Sequence, residues 1–367
     1  MKILPNRVDR AYALHQAEYE EAALRVLRSG QYILGKELAA FEDEFCAFIG
    51  TNYCVGLASG LDALIIAHKL LGIGDGDEVI VQSNAFIACV MSITKNGATP
   101  VFVEPDEYFN LDPAKIEDAI TEKTKAILVV HLFGQASDMG TISAIAKKHN
   151  LYIIEDCAQS QGARYYDTDK RTGSIGDIGC FSMFPTKNLG AFGDAGAVTM
   201  NSPELDRNFR VYRNYGSEKK YYNEVVGTNS RLDELQAAML RIRLQHLDEM
   251  NSERKALCDR YLKELTNEHI TLPKIRKNCE TVWHQFVVRT RDRDKLAEYL
   301  RSKEIETIIH YPIPPHLSEA YKHLGYKKGD FPIAETYAET VLSLPLYIGM
   351  TDEEQEYIIN TVNRFNL

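Results

Sequence analysis

The segment AILVVHLFGQASDMGTISAIAKKHNLYIIED, residues 126–156, has the pattern of a strand, a helix and a second strand. Both predicted strands, residues 126–131 and 151–155, are continuous apolar runs, and the predicted helix between them spans residues 139–148. Apolar strands joined by helices are typical of a mostly parallel sheet that is covered on both faces. The second strand leads into Asp156, and ligands in open α/β sheets collect at the carboxyl ends of strands. The segment therefore predicts an α/β fold and the place of a site.

The same alternation extends along the chain on both sides of this segment. Further strands are predicted at residues 53–57, 78–81, 100–103 and 196–200, and further helices at residues 61–71, 86–96 and 113–120. Two more helices are expected between residues 22 and 48, on either side of Ser29-Gly30. A long amphipathic helix, residues 232–262, is predicted to lead out of the first domain. We therefore expect a large domain at residues 1–250.

The remaining residues, 251–367, are expected to form a smaller α+β domain. Strands are predicted at residues 283–289 and 307–309, and helices at residues 293–303 and 353–365. The 367-residue length is consistent with two domains.

Composition excludes several classes of protein. The net charge is −10 and no basic cluster interrupts it, so binding of nucleic acid is not expected. No apolar stretch approaches the 18 or so residues of a membrane span, and no signal or lipidation sequence is evident, so we predict a cytoplasmic protein. The seven cysteines contain no C-x-x-C pair, which predicts reduced thiols and no metal site.

Several common nucleotide and hydrolase motifs are missing. The chain has no G-x-x-x-x-G-K-[ST] loop and no G-x-S-x-G elbow. The glycines of residues 72–76, GIGDG, have the wrong spacing for a dinucleotide fingerprint. The chain therefore lacks the local motifs on which kinase, dehydrogenase and serine hydrolase activities depend.

Asp156 and Lys187 are the two candidate catalytic residues. Lys187 lies in FSMFPTKNLG, residues 181–190, and the apolar neighbours Phe181, Phe184 and Pro185 are expected to desolvate its amine. Desolvation lowers the pKa of a lysine toward neutrality, as imine formation requires. Each residue also has an ordinary interpretation, because Asp156 can cap a helix and most lysines are solvated.

Four motifs in order resemble one family: IEDCAQSQGA (154–163), FSMFPTKNLG (181–190), GDAG (193–196) and GTNSRLDELQAA (227–238). Together they resemble the DegT/DnrJ/EryC1/StrS family of sugar aminotransferases, which depend on pyridoxal 5'-phosphate (PLP). The resemblance covers residues 31–346. It implies the aspartate aminotransferase fold (type I), with a mostly parallel seven-stranded sheet in the large domain and a smaller α+β C-terminal domain.

The resemblance also implies roles for individual residues. Lys187 would bond to the cofactor and move a proton, while Asp156, with Gln159 nearby, would keep the pyridine nitrogen protonated. The residues implied in the remaining cofactor contacts are Ser59, Gly60, Leu61, Ser182 and Asn229 for the phosphate and Phe86 for the ring. Family members often have Thr where Leu61 stands, so only a backbone contact would survive there.

Some of these residues have equally ordinary explanations. Ser59-Gly60 alone would be a plain turn, and an aromatic such as Phe86 is more often simply core. For His131 and His284 a structural role is the favoured interpretation.

In the family the neighbouring subunit supplies the residue that matches Asn229, so a homodimer with shared active sites is implied. Lys219 and Tyr221, in a cationic and aromatic cluster, are candidates for binding a nucleotide diphosphate, although a solvated loop fits equally well. His310 and Tyr311, in IHYPIPPHL (309–317), are candidates for binding sugar hydroxyls, or for holding a structural loop.

The 309–317 segment resembles that of family members acting on dTDP-linked 3-keto-6-deoxyhexoses. The predicted reaction therefore makes a dTDP-3-amino-3,6-dideoxyhexose with L-glutamate as donor. The alternatives are amination at C4 of a UDP- or dTDP-linked 4-keto sugar, a PLP-dependent sugar dehydratase, and a non-catalytic PLP-binding module. Lys187 disfavours the dehydratases, because related dehydratases carry histidine at that position. A regulatory module usually carries an added domain, for which no residues are left over.

Overall fold

The computed structural model describes residues 1–167 and 169–366. A seven-stranded sheet forms its centre, and two small sheets flank it. The strands are β1 Tyr53–Leu57, β2 Glu78–Gln82, β3 Thr99–Val103, β4 Thr124–Val130, β5 Tyr152–Asp156, β6 Arg164–Tyr165, β7 Lys170–Arg171, β8 Ile178–Ser182, β9 Gly196–Met200, β10 Cys279–Glu280, β11 Phe286–Arg289 and β12 Val341–Leu344.

The strand order of the large sheet is β1-β9-β8-β5-β4-β2-β3. The pairs from β3 to β8 are parallel, whereas β9 runs antiparallel to both β8 and β1. Ala126, Leu128 and Val129 of β4 are completely buried, as their unbroken apolar pattern requires. The predicted mostly parallel seven-stranded sheet is therefore confirmed.

Helices pack against this sheet and alternate with strands in the C-terminal part of the chain. The helices are α1 Val8–Leu14, α2 Gln16–Ser29, α3 Lys36–Ile49, α4 Gly60–Leu70, α5 Ile87–Thr94, α6 Met139–His149, α7 Pro203–Tyr212, α8 Glu234–Gln245, α9 Leu247–Glu264, α10 Arg293–Ser302, α11 Pro332–Thr340 and α12 Asp352–Asn363. The predicted pair between residues 22 and 48 corresponds to α2 and α3, which Gly30 separates in a left-handed conformation.

Two predicted helices were wrong in extent. Residues 113–120 form two short 3₁₀ turns, because Asp112 caps the first turn and the backbone returns to an extended conformation at Ile120. The predicted helix 232–262 is two helices, α8 and α9, that meet at His246. The amide of His246 donates to Arg243 three residues earlier, which tightens the last turn of α8 and redirects the chain.

The C-terminal part has its own core, in which Phe286, Leu300, Leu342 and Ile358 are completely buried. Ile3 belongs to this second core and bridges to Ile305, so the first residues pack with the C-terminal part. The predicted boundary at residue 250 lies within α9, and a division into two domains at this residue stays a prediction. Of the predicted second domain, 251–367, the structure describes residues 251–366.

Over the described residues, every helix is too short or too polar to cross a membrane. The cytoplasmic location stays a prediction.

Candidate active site

A pocket of about 380 Å³ opens at the carboxyl ends of the central strands. Val130, Asp156 and Ser182, the last residues of β4, β5 and β8, line it, as expected for an open α/β sheet, in which ligands bind at the carboxyl ends of the strands. Lys187 lies in the wall of the same pocket. The structure therefore brings together the two residues that the sequence singled out for catalysis.

The Lys187 amine is withdrawn from water. Burial lowers its pKa to about 8, although Asp156 and Cys89 act in the opposite direction. The predicted enclosure by aromatic neighbours was only partly right, because Phe181 packs in the core against Phe45 and Phe184 is half exposed. The amine is therefore enclosed by the pocket as a whole and not by these two aromatic neighbours alone.

This pKa makes the stability of the cofactor-free protein depend on pH. Between about pH 8 and 10.5, the ordinary value for lysine, the unfolded chain binds more protons than the folded chain. The free energy of unfolding of the wild type should therefore rise across this window. We expect Lys187→Met to be more stable than wild type by about 1 to 3 kcal/mol below pH 8.

That advantage should shrink as the pH approaches 10.5, which chemical denaturation at a series of pH values would measure. Lys69→Met is the control, since it removes an exposed lysine from α4. A difference between Lys187→Met and wild type that does not vary with pH would contradict the lowered pKa.

Asp156 is buried, and its two oxygens each accept one hydrogen bond. The backbone amide of Ala158 donates to Oδ1 and the thiol of Cys89 donates to Oδ2, both at 3.0 Å. Among the described residues, none of the ion pairs within 4 Å includes Asp156. A buried carboxylate without a cation is costly, so this site fits a ligand that brings a positive charge.

Gln159 connects the two halves of the pocket. Its Oε1 accepts from the amide of Phe133 at 2.7 Å, and its Nε2 donates to the hydroxyl of Tyr311 at 3.1 Å. The Tyr311 ring lies 5.1 Å from that of Phe86, which is 47% exposed and lines the pocket. The ordinary interpretation, in which Phe86 is simply a core residue, is therefore wrong.

The start of α4 forms another wall of the pocket. Ser59 caps the helix by accepting from the amide of Asp62, and Gly60 and Leu61 open its first turn. A Cβ on Gly60 would lie 2.5 Å from the Cβ of Ser182, so only glycine allows this close approach. The first amides of a helix have no partner within it, and they suit an anion such as a phosphate.

Two histidines face the same pocket. His310 bonds to Ser343 at 2.8 Å, and burial followed by the nearby Lys187 lowers its pKa to about 4. His284 bonds to Asn188 at 3.2 Å, and burial places its pKa well below the ordinary value. Both rings are therefore neutral at pH 7.

The sequence analysis missed the position of His284 in the pocket, together with Thr186, Asp194 and Gln285. Thr186 and Asp194 lie within two of the four motifs, but no role was predicted for them. His284 and Gln285 lie in no motif, because this part of the pocket forms only when distant segments meet. For His131 the structural interpretation is confirmed: the buried ring accepts from the amide of Ser137 and bonds to Glu155.

The structure does not bring Asn229, Lys219 or Tyr221 into the pocket. Asn229 is exposed and bridges to Asn214, and the Lys219 ammonium lies over the ring of Tyr222. Tyr221 is 84% exposed. Their predicted contacts stay predictions, and within one chain these residues lie outside the site.

The fold and this pocket together fit an enzyme whose cofactor carries a cationic group for Asp156 and a phosphate for the start of α4. Residues 14–363 match the model of the DegT/DnrJ/EryC1/StrS aminotransferase family, and the chain belongs to that family. The family that the four motifs predicted is confirmed.

Relatives and solved structures agree along nearly the full length. The chain is 51% identical over 352 residues to the dTDP-3-amino-3,6-dideoxy-alpha-D-galactopyranose transaminase of Aneurinibacillus thermoaerophilus, covering 96% of each. It matches the crystal structure of Streptomyces venezuelae DesV in complex with a ketimine intermediate at a TM-score of 0.97 and 46% identity, covering 99% of this chain and 98% of DesV. It also matches NtdA of Bacillus subtilis with the bound cofactor PMP (TM-score 0.90, 31% identity, 99% and 85% covered).

Proposed function

We propose that this chain is a PLP-dependent aminotransferase that transfers the amino group of L-glutamate to a dTDP-linked 3-keto-6-deoxyhexose. The observation that carries the proposal is that one pocket contains both a buried carboxylate that forms no ion pair among the described residues and a desolvated lysine. The similarity to the transaminase of A. thermoaerophilus supports the choice of sugar.

When bound, PLP acts as an electron sink for the substrate, provided that its ring nitrogen is protonated. Asp156 would hold that proton, because its carboxylate lines the pocket, accepts one hydrogen bond on each oxygen and forms no ion pair within 4 Å among the described residues. Opposite charges at close range keep both groups ionised. The amides that begin α4, with Ser182 beside them, bind the phosphate.

Lys187 has two tasks in this mechanism. With a pKa of about 8, a useful fraction of its amine is unprotonated at neutral pH and can bond to the cofactor's aldehyde. With PLP bound and the amino donor attached to it in place of Lys187, the freed amine would be placed to move a proton between the donor's α-carbon and the cofactor as a general acid and base.

Substrate recognition falls to groups on the small-domain side. Neutral His310 and the Tyr311 hydroxyl present hydrogen-bonding atoms to the pocket, which suits sugar hydroxyls. Amination at C4 of a UDP- or dTDP-linked 4-keto sugar is the alternative, because Lys187 and Asp156 would serve it equally well. The presence of Lys187 argues against the dehydratase.

The position of the new amine decides between the two reactions. We expect the protein to aminate a dTDP-3-keto-6-deoxyhexose with L-glutamate, and NMR of the product to place nitrogen at C3. The control is the corresponding dTDP-4-keto sugar under the same conditions. Nitrogen found only at C4 would overturn the substrate, while leaving the aminotransferase intact. A protein whose bound cofactor does not change with glutamate alone would be a mere binder.

We also propose a homodimer in which Asn229 completes the partner's site. Its exposure, next to the apolar and exposed Val225 and Val226, supports a surface that a second copy covers. Mixing Lys187→Ala chains with Asn229→Ala chains should recover activity, since one of the two sites in each hybrid would contain both intact residues.

Random exchange would restore about a quarter of the wild-type sites. Each variant mixed with itself is the control. A fully active monomer in sedimentation, or no recovery after demonstrated exchange, would contradict the shared site.

A further inference from the structure

The first turn of α5 places two side chains on the same side of the helix. Phe86 precedes the helix and Cys89 follows three residues later, a spacing that puts both on one face. Phe86 reaches into the pocket, whereas Cys89 is completely buried behind it. The start of α5 therefore contributes one side chain to the pocket lining and a second side chain to the buried residues behind it.

The Cys89 thiol meets the carboxylate that the proposed function needs most. Its Sγ lies 3.0 Å from Oδ2 of Asp156. Burial, and then the charge of Asp156, raise the pKa of this thiol well above its ordinary value. The sulfur therefore keeps its proton and acts as the donor.

The two donors on Asp156 come from different parts of the chain. The amide of Ala158 follows β5 and binds Oδ1, and Cys89 on α5 binds Oδ2. A carboxylate has about four lone-pair sites, so two remain for a ligand. With one donor on each oxygen, the carboxylate cannot rotate without breaking a hydrogen bond in a buried setting, where that loss is costly.

We propose that Cys89 is a positioning residue that orients Asp156 toward the ring nitrogen of the cofactor. This inference rests on the proposed function, because it assumes that Asp156 faces that nitrogen. Cys89 is buried and is not among the residues that line the pocket, so its effect passes through Asp156.

The test compares two ligands that differ only at the ring nitrogen: PMP, the amine form of the cofactor, and 1-deaza-PMP, in which C–H replaces that nitrogen. Equilibrium affinities are measured with the full chain. Cys89→Ala should weaken PMP binding by about three- to tenfold and 1-deaza-PMP binding by less than twofold. Cys89→Ser, which restores a donor, should recover most of the PMP affinity.

Cys180 provides the matched control. It is equally buried, and it pairs with Asp156 across β5 and β8. Among the described residues its thiol makes no hydrogen bond to that carboxylate. Cys180→Ala should therefore change the two affinities by the same factor, as any purely structural effect would.

Equal losses for the two ligands in Cys89→Ala, no loss at all, or no recovery in Cys89→Ser would overturn the role of Cys89. A wild type that binds PMP and 1-deaza-PMP equally well would instead show that Asp156 does not hold the ring nitrogen. That result would contradict the role of Asp156 in the proposed function. It is distinguishable from a failure of the Cys89 proposal, which would leave the wild type's preference for PMP intact.

Discussion

Replacing Lys187 with alanine is expected to abolish the covalent attachment of PLP and to reduce amino transfer roughly 10⁴-fold or more. The reason is geometric, because Lys187 is the only lysine among the residues that line the described pocket. Its loss removes both the amine that bonds to the aldehyde and the group that moves the proton. Absorbance spectra of the reconstituted protein and single-turnover amination of the keto sugar measure the two losses separately.

Phosphate binding should survive in this variant, since α4 and Ser182 are untouched. PLP should therefore still bind, with the spectrum of a free aldehyde. Lys69→Ala removes an exposed lysine and serves as the control. Substantial turnover by Lys187→Ala would show that another group performs the chemistry, and the assignment of Lys187 would be wrong.

Much of the fold could be predicted because parallel strands carry a strong local signal. Residues 126–131 are apolar at every position up to His131, and an apolar run of this length is typical of a strand buried on both faces. The same reasoning was wrong for residues 113–120. A proline and an acidic cap at the start of this segment are compatible with a helix, but the segment forms only 3₁₀ turns. It also predicted one helix over residues 232–262 and so missed the break at His246. Tertiary contacts accompany this break, such as the stacking of His246 on His15.

The site was predictable to the extent that its residues lie in contiguous motifs. Asp156, Gln159, Ser182 and Lys187 sit at or just beyond strand ends, where position along the sheet indicates a ligand. Cys89 carried no such signal, because a buried cysteine on a helix looks like any small apolar residue. Its contact with Asp156 depends on how α5 packs against the large sheet, which periodicity does not reveal.

The segment around Asn229 was beyond structural test for a different reason. In one chain it is a surface loop, with Tyr221 and Val226 among its most exposed side chains. Large exposed apolar groups so close together indicate a binding surface. Only a second copy would turn this loop into part of a site.

Replacing Asp156 with asparagine tests the electron sink directly. The amide is nearly the same size, so PLP should still bind, held by Lys187 and the phosphate contacts. An amide has no charge, however, and an opposite charge nearby shifts a pKa by about 1 to 3 units. Because each unit changes the protonated fraction of the ring nitrogen up to tenfold, amino transfer should fall by roughly 10- to 10³-fold.

The matched control is Asp194→Asn, which removes the same charge from the exposed edge of the same pocket. We expect that change to cost less than about tenfold, because its carboxylate is solvated and its field is screened. Cofactor content is measured in both variants, so that lost binding is not mistaken for lost chemistry. Equal rates for Asp156→Asn and wild type at full cofactor occupancy would mean that the ring nitrogen needs no carboxylate, and the role assigned to this buried aspartate would then have to pass to another residue.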